Sequence, residues 1–269
     1  MNSVPLWLDA LFPSGAPVFG EALWMDVEPP PIHPEEAQQV ATAVAKRRAE
    51  FAAGRACARR ALTRLGIGDF VLRNGPDRAP RWPDGVVGSI SHAGAVPGGF
   101  CGAVVARSRD FLTLGLDAEV ATAVGPELWP RVMTAGELDW LQDQPVASRP
   151  TLAAVLFSAK ECFYKARFPV AGQFLDFEDV EVALDPPGSS FEARLTTDGA
   201  GSLGRPMLPG CKGRYVEVDG FVITGIGVPA NVEIPGAFAV SDGKGQGNDP
   251  GATLTEKSEH GKQTRVSNG

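Results

Sequence analysis

The chain has 269 residues and a formal net charge of −7 at pH 7, with 43% hydrophobic and 21% charged residues. These proportions are typical of a globular protein and exclude a disordered or fibrous one. The acidic balance argues against a general nucleic-acid-binding protein, and no stretch approaches the ~18 consecutive apolar residues of a membrane span. We therefore expect no nucleic-acid and no membrane partner, and the four widely separated cysteines favour the cytoplasm.

The first predicted element is a long helix over residues 35–65. A Pro-rich segment, Pro29–Pro34, precedes it, and two acids at its start suit the positive end of a helix. Apolar side chains recur at helical spacing along it, and Gly66 is a plausible terminating residue.

The basic residues of the chain cluster in this helix. Residues 46–64 contain seven Lys or Arg and one acid, whereas residues 1–45 contain six acids and no Lys or Arg. At about 100° per residue, Arg48, Arg55 and Arg59 lie along one line that borders the apolar stripe. A basic block in an acidic protein favours an anionic small ligand in a cleft; a solvated basic face with extended arginines is the alternative.

Strands and a second helix follow, and together they predict an α+β fold. Residues 151–167 show a helical pattern, with the apolar stripe at three- and four-residue spacing. The predicted strands are residues 86–92, 100–106, 111–119, 178–184, 190–196, 213–218 and 221–228.

The C-terminal end differs from the rest of the chain. From Ala239 onward there is no aromatic residue, and the charges from Gly236 to Gly269 cancel. Such a composition predicts a disordered tail over residues 236–269. The functional module is then residues 1–235.

Asp117 and Glu119 end the predicted strand over residues 111–119. Residues i and i+2 of a strand point to the same face, so the two carboxylates project together. Like charges this close are costly unless a cation neutralises them, and Mg²⁺ is the cation that commonly takes one or two carboxylates and a substrate phosphate. Two solvated acids at a strand end are the alternative.

The second helix carries Ser158, Glu161 and Lys165 on the side opposite its apolar stripe. Glu161 and Lys165 are one turn apart, which is also the spacing of an ordinary surface ion pair. A third polar motif, Ser89-Ile90-Ser91-His92, forms the polar end of the predicted strand over residues 86–92. It is consistent with phosphate contacts, with a structural histidine in a turn, or with a nucleophile–base pair, although no triad signature accompanies it.

The order and combination of these pieces resemble the 4′-phosphopantetheinyl transferase superfamily, in its large surfactin- and enterobactin-synthetase type. The resemblance covers roughly residues 35–230. The matching segments are Lys46-Arg47-Arg48-Ala49-Glu50-Phe51 with Gly54-Arg55; Trp82-Pro83-Asp84-Gly85 through Ser89-Ile90-Ser91-His92; Gly115-Leu116-Asp117-Ala118-Glu119; and Phe157-Ser158-Ala159-Lys160-Glu161-Cys162-Phe163-Tyr164-Lys165-Ala166.

The resemblance implies two similar α+β halves in one chain, related by a pseudo-twofold, with the active site in the cleft between them. We assign them to residues 1–120 and 121–235. It also implies an enzyme that moves the 4′-phosphopantetheine arm of coenzyme A to a serine of an apo carrier protein of fatty-acid, polyketide or peptide synthesis. The other product is 3′,5′-ADP, Mg²⁺ is the cofactor, and a monomer suffices.

The resemblance also implies roles for individual residues. Asp117, Glu119 and Glu161 match magnesium ligands, and Glu161 and Lys165 match the catalytic residues. The expected contacts to coenzyme A are Arg48, Arg55, Arg78, Ser91, His92 and Lys160.

Two other functions remain open at this point. The same acids would serve a Mg²⁺-dependent phosphoanhydride hydrolase, which would consume coenzyme A or a nucleotide without an acceptor protein. A catalytically inactive carrier-binding module is the second alternative, but it has no need to retain Asp117, Glu119, Glu161 and Lys165 together.

Overall fold

A computed structural model describes residues 6–12, 15, 17–196, 208 and 210–232. The chain divides into two compact units, Met1–Ala237 and Phe238–Gly269. The second unit, and with it the predicted disordered tail over residues 236–269, lies outside the described residues. In the described part of the chain, no helix combines the length and the apolar character that crossing a membrane requires.

The N-terminal half is a three-stranded antiparallel sheet with a long helix packed on it. The strand order is β1-β3-β2, and α3 contacts β3 and β1. Its elements are α1 (Leu6–Asp9), β1 (Phe19–Trp24), α2 (Pro34–Gln38), α3 (Ala45–Arg64), β2 (Val86–Ala93) and β3 (Phe100–Arg107).

The C-terminal half repeats this plan with a five-stranded antiparallel sheet of order β4-β8-β7-β6-β5. Helix α6 packs across β4 and β8, and a large apolar core lies around it. The elements are β4 (Phe111–Val120), α4 (Trp129–Val132), α5 (Ala135–Gln142), α6 (Arg149–Ala171), a 3₁₀ turn (Phe177–Asp179), β5 (Val180–Asp185), β6 (Ser190–Leu195), β7 (Cys211–Val218) and β8 (Phe221–Pro229).

The α+β class and the two similar halves are therefore confirmed. The predicted boundary at residue 120 follows β4, yet β4 pairs along its length with β8 and so lies in the sheet of the C-terminal half. The exact domain limits stay a prediction. Strands β2 and β4, one from each half, lie side by side, and a second apolar cluster with Phe100, Leu116 and Phe221 fills the junction.

The predicted helix over residues 35–65 is wrong in one respect, because it is two helices. Helix α2 ends at Gln38, and turns separate it from α3, which begins at Ala45. The break lets α2 turn its buried Glu36 toward another part of the chain, where the carboxylate accepts the Leu72 N–H and binds Arg59. The predicted end at Gly66 is confirmed, with φ at +87°.

The ends of α6 follow from local chemistry. Pro150 occupies its first turn, where a missing N–H costs nothing, and Gly172 terminates it in the left-handed conformation at φ 64°. The predicted helix over residues 151–167 is confirmed within these bounds.

Candidate active site

Asp117 is the centre of the candidate active site. It lies on β4 and is 3% exposed. The Nζ atom of Lys165, on α6, lies 2.6 Å from Asp117 Oδ1 and 3.1 Å from Ser91 Oγ on β2. Burial, the largest single influence, lowers the pKa of Lys165, but attraction to Asp117, the hydrogen bond to Asp117 and attraction to Glu161 and Cys162 together exceed it, and the net shift is upward. Lys165 is thus an ammonium paired with Asp117, not merely the surface partner of Glu161.

A glycine on β4 makes this meeting possible. A Cβ atom on Gly115 would overlap the main-chain carbonyl of Cys162 on α6 and would come within 3.1 Å of Ala166 Cβ. The missing side chain therefore lets α6 approach β4 at close range. That approach carries Lys165 to Asp117.

Two serines of β2 accept hydrogen bonds from main-chain N–H groups of the neighbouring strand β4. Ser89 Oγ accepts the Leu116 N–H at 3.0 Å, and Ser91 Oγ accepts the Ala118 N–H at 3.1 Å. Ser91 also donates to Asp117 Oδ1 at 3.0 Å. In the structure the Ser91 hydroxyl therefore helps to hold Asp117 in place. Its predicted contact with coenzyme A stays a prediction.

The other Asp117 oxygen is held from the opposite side. Ser158, on α6, donates from Oγ to Asp117 Oδ2 at 2.8 Å. The Thr224 hydroxyl, on β8, lies 2.9 Å from Ser158 Oγ. Ser158 and Thr224 are both fully buried. Sequence reasoning placed Ser158 on this side of α6 but missed Thr224, which no motif contains.

Glu119 and Glu161 complete a cluster of three carboxylates around one ammonium. Burial first, and then repulsion from Asp117, raise the pKa of Glu119 to about 8, and the same two causes raise the pKa of Glu161. Lys165 lowers both, so all four groups influence one another.

This donor set fits a divalent cation. When ionised, three carboxylates opposite one ammonium leave two negative charges uncompensated, and oxygen ligands are those that Mg²⁺ prefers. In the described part of the chain, however, no three His, Cys, Asp or Glu side chains are already arranged to hold a metal ion. The predicted ligands Asp117, Glu119 and Glu161 lie near one another, and their metal binding stays a prediction.

His92, at the end of β2, forms a second polar cluster of the site together with Arg47 and Glu50. Arg47 Nη1, on α3, lies 3.0 Å from His92 Nε2, and Glu50 lies 3.5 Å from Arg47 and 3.8 Å from His92. Burial lowers the pKa of His92. Because Arg47 can only donate, His92 Nε2 is the acceptor and its proton is on Nδ1. Sequence reasoning did not single out Arg47, although it stands in the matching segment.

The guanidinium groups of the predicted arginine line, Arg48, Arg55 and Arg59, bind different partners. Arg48 is exposed and donates to the Ala43 carbonyl. Arg55 is buried, bonds Asn74 Oδ1 and covers the Phe51 ring at 4.2 Å. Burial lowers the pKa of Arg55 to about 10, and its Nε atom has no hydrogen-bond partner in the described structure.

Arg78 is exposed in a loop closed by a bridge between Asn74 and Pro80. Its φ is +65°. The neighbouring Asp77 contributes to the raised pKa of Tyr164 on α6, about 12, whose main cause is burial. Asp77, of the N-terminal half, therefore lies within electrostatic range of Tyr164 on α6.

Lys160 points away from Asp117. Its ammonium lies 2.7 Å from Glu137 Oε2 and donates to the Phe177 carbonyl at 2.8 Å, and its side chain is 1% exposed. In the structure the ammonium takes part in this internal ion pair, and the predicted contact of Lys160 with coenzyme A stays a prediction. Lys160 still lines a groove of about 210 Å³ with Glu161, Tyr164 and aromatic residues of the 174–177 segment.

Comparison with known proteins assigns both halves to one family. The family model described as the 4′-phosphopantetheinyl transferase N-terminal domain matches residues 35–106. The model described as the 4′-phosphopantetheinyl transferase superfamily matches residues 113–204. The two matches meet between β3 and β4, where the two sheets also divide.

Curated relatives extend over most of the chain. The 4′-phosphopantetheinyl transferase Svp of Streptomyces mobaraensis is 41% identical over 245 residues, 89% of this chain and 95% of the relative. Npt of Nocardia iowensis is 34% identical over 72% of this chain and 88% of its own length. PptT of Mycobacterium tuberculosis is 34% identical over 78% of this chain and 94% of its own length.

Proposed function

Because the chain belongs to the 4′-phosphopantetheinyl transferase superfamily, we propose that it moves the 4′-phosphopantetheine arm of coenzyme A to a serine of an apo carrier protein. The serine oxygen forms a bond to the phosphorus atom of the arm, and the bond between that phosphorus and the bridging oxygen of 3′,5′-ADP breaks. The observation that carries the proposal is the Asp117–Lys165 pair with Glu119 and Glu161 beside it.

Mg²⁺ is the proposed cofactor, and Asp117, Glu119 and Glu161 are the residues that would hold it. Bound there, it would neutralise charge on the pyrophosphate oxygens, as metal ions do in phosphoryl transfer. The three neighbouring carboxyl groups support this assignment, because a bound cation would favour the ionised forms of Glu119 and Glu161, whose pKa values are raised by burial and by Asp117.

Glu161 and Lys165 are the proposed catalytic residues. Glu161, whose pKa is raised mainly by burial, is suited to accept the proton of the serine hydroxyl, directly or through a water. Lys165 keeps its proton because Asp117 stabilises the ammonium. We propose that this charge stabilises the departing 3′,5′-ADP, where negative charge grows as the bond breaks.

The nucleotide phosphates would lie toward the N-terminal half. His92 and Arg47 form a joined pair beside the Asp117 cluster, and guanidinium groups bind phosphate in a bidentate manner. Arg55, buried and with one unpaired nitrogen, is a further candidate. The groove lined by Tyr164 and the aromatic 174–177 segment adjoins Glu161 and would receive the less polar pantetheine arm.

Carriers of fatty-acid, polyketide or peptide synthesis are the proposed protein partners. All of them present a serine hydroxyl, so the chemistry is the same. We further propose a cytoplasmic monomer. Cys57, Cys101 and Cys162 are buried free thiols, in keeping with a reducing compartment, and the described chain already contains both halves of the site.

The test is transfer itself. The full chain is incubated with coenzyme A, Mg²⁺ and several apo carriers, and each carrier is weighed by intact mass spectrometry. We expect the arm on at least one carrier with the wild type and none with Asp117→Asn. Coenzyme A consumption without a carrier would instead indicate a phosphoanhydride hydrolase.

A further inference from the structure

Thr224 is a polar residue in an apolar strand. Strand β8 reads Phe-Val-Ile-Thr-Gly-Ile-Gly-Val-Pro, and its threonine is fully buried. In the antiparallel register Thr224 lies directly opposite Asp117, so the two side chains share one face of the sheet. The hydroxyl nevertheless bonds to Ser158 of α6 rather than to Asp117.

The direction of these hydrogen bonds follows from counting protons. A carboxylate only accepts, so the single Ser158 hydroxyl proton goes to Asp117 Oδ2 at 2.8 Å. The contact of 2.9 Å between Ser158 Oγ and Thr224 Oγ1 then requires the Thr224 proton. The Thr224 hydroxyl therefore donates one bifurcated hydrogen bond, to the Oγ atom and to the carbonyl oxygen of Ser158. The Ser158 hydroxyl in turn donates to Asp117.

The same count shows which Asp117 oxygen retains an acceptor site. A carboxylate offers about four lone pairs, two on each oxygen. Oδ1 accepts from Ser91 and from Lys165, which fills it. Within the described structure Oδ2 accepts from Ser158 alone. The oxygen with a remaining lone pair is therefore the one that Ser158 orients.

We propose that Thr224 and Ser158 form a hydroxyl chain that fixes Oδ2 of Asp117 in the orientation that binds the metal ion. Both are positioning residues, since they are fully buried and act on the site only through Asp117. This proposal rests on the proposed function, because the ion that Asp117 would bind is the Mg²⁺ of the transferase site. Residues that orient a metal ligand in this way typically change metal affinity 10–100-fold when removed.

Two buried threonines provide a matched test. Thr224→Val removes the hydroxyl at constant shape, Thr224→Ser keeps it, and Thr113→Val removes a buried hydroxyl from β4 outside the hydroxyl chain. Mg²⁺ is titrated by calorimetry into each full-length protein saturated with coenzyme A, and Mn²⁺ alone is titrated in parallel with electron paramagnetic resonance. Melting temperatures are recorded for all variants.

We expect Thr224→Val to weaken binding of both ions about 10-fold, with Thr224→Ser and Thr113→Val close to the wild type. Ser158→Ala should weaken it at least as much, provided that the variant folds. Affinity within twofold of the wild type in Thr224→Val, or an equal loss in Thr113→Val, would overturn the proposal. The Mn²⁺ titration needs neither coenzyme A nor a carrier, so a wild type that binds the ion but transfers nothing would refute the transferase proposal and leave the hydroxyl chain standing.

Discussion

Lys165 shows how far a single residue can be understood from its neighbours in sequence. The pattern alone fits an ordinary ion pair with Glu161 one turn earlier, which is worth about 0.3–0.5 kcal/mol on a helix surface. In the structure its ammonium binds Asp117 and Ser91, from two other elements. The residue type and its face were predictable, but its partner depends on tertiary packing.

We expect Lys165→Ala to lower kcat by about 10²-fold or more, with a smaller change in KM for coenzyme A. The reason is that a cation beside the departing phosphate gains most of its effect as charge develops in the transition state. Lys165→Arg should recover little, because a guanidinium fork does not replace a compact ammonium. Steady-state kinetics with a modified carrier would decide, and unchanged kcat in Lys165→Ala would make the residue purely structural.

Adjacent arginines give a second test at the residue scale. The family resemblance implies Arg48 as a phosphate contact, whereas in the structure Arg47 contacts His92 and Arg48 donates to the backbone carbonyl of Ala43. We expect Arg47→Ala to weaken coenzyme A binding by about 1.5–3 kcal/mol, the range for hydrogen bonds to charged groups. Arg48→Ala, its matched control, should cost under about 0.5 kcal/mol.

Calorimetric titration of coenzyme A into the two variants measures both values. The opposite ranking would restore Arg48 as the phosphate contact. Equal losses would mean that the positive charge of the α3 N-terminal end matters and that the position of each guanidinium does not.

At the scale of elements, regular periodicity was sufficient for most of the fold. Alternating or continuous apolar runs correctly predicted β2 to β8, and the apolar stripe correctly predicted α6. Strand β1 was missed, since its short Phe-Gly-Glu-Ala-Leu-Trp sequence has no clear alternation. Helix α5 was also missed, although Thr134 and Glu137 form a capping box visible in the sequence.

The break between α2 and α3 had no such local signal. It depends on the burial of Glu36 against Leu72 and Arg59, which are distant in sequence. The Arg59 side chain therefore pairs with the buried Glu36 carboxylate and does not point with the other arginines of the predicted line. The site divides in the same way: its carboxylates and Lys165 belong to readable motifs, whereas Thr224 and the Arg47–His92 contact arise only when elements meet.

The crossing of α6 over β4 gives a prediction at this scale. We expect Gly115→Ala to destabilise the protein by about 1–3 kcal/mol, since its methyl group would overlap the Cys162 carbonyl. Transfer should fall more than stability does, because the helix that carries Lys165 must shift away from Asp117. Gly68→Ala is the control, since nothing lies within 4 Å of a Cβ there. Urea denaturation and transfer assays would measure both effects, and full activity in Gly115→Ala would contradict the argument.

At the scale of the whole molecule, the candidate site needs both halves. Ser91, His92 and Arg47 come from the N-terminal half, and Lys165 and Ser158 from the C-terminal half, around Asp117 at the junction. Serine side chains of β2 complete the hydrogen bonds of β4 across this junction. The two halves are therefore tied together by the same residues that build the site.

The segment after Pro235 lies outside the described residues, and its sequence predicts that it is dispensable. From Ala239 it has no aromatic side chain to bury, and its charges cancel. We expect truncation after Pro235 to leave the melting temperature and the transfer rate nearly unchanged. Thermal denaturation and the carrier assay, run on the truncated and the full chain side by side, measure both. A lower melting temperature by more than a few degrees would show that the segment packs on the transferase body, and a lower rate at equal stability would show that it helps to bind the carrier protein.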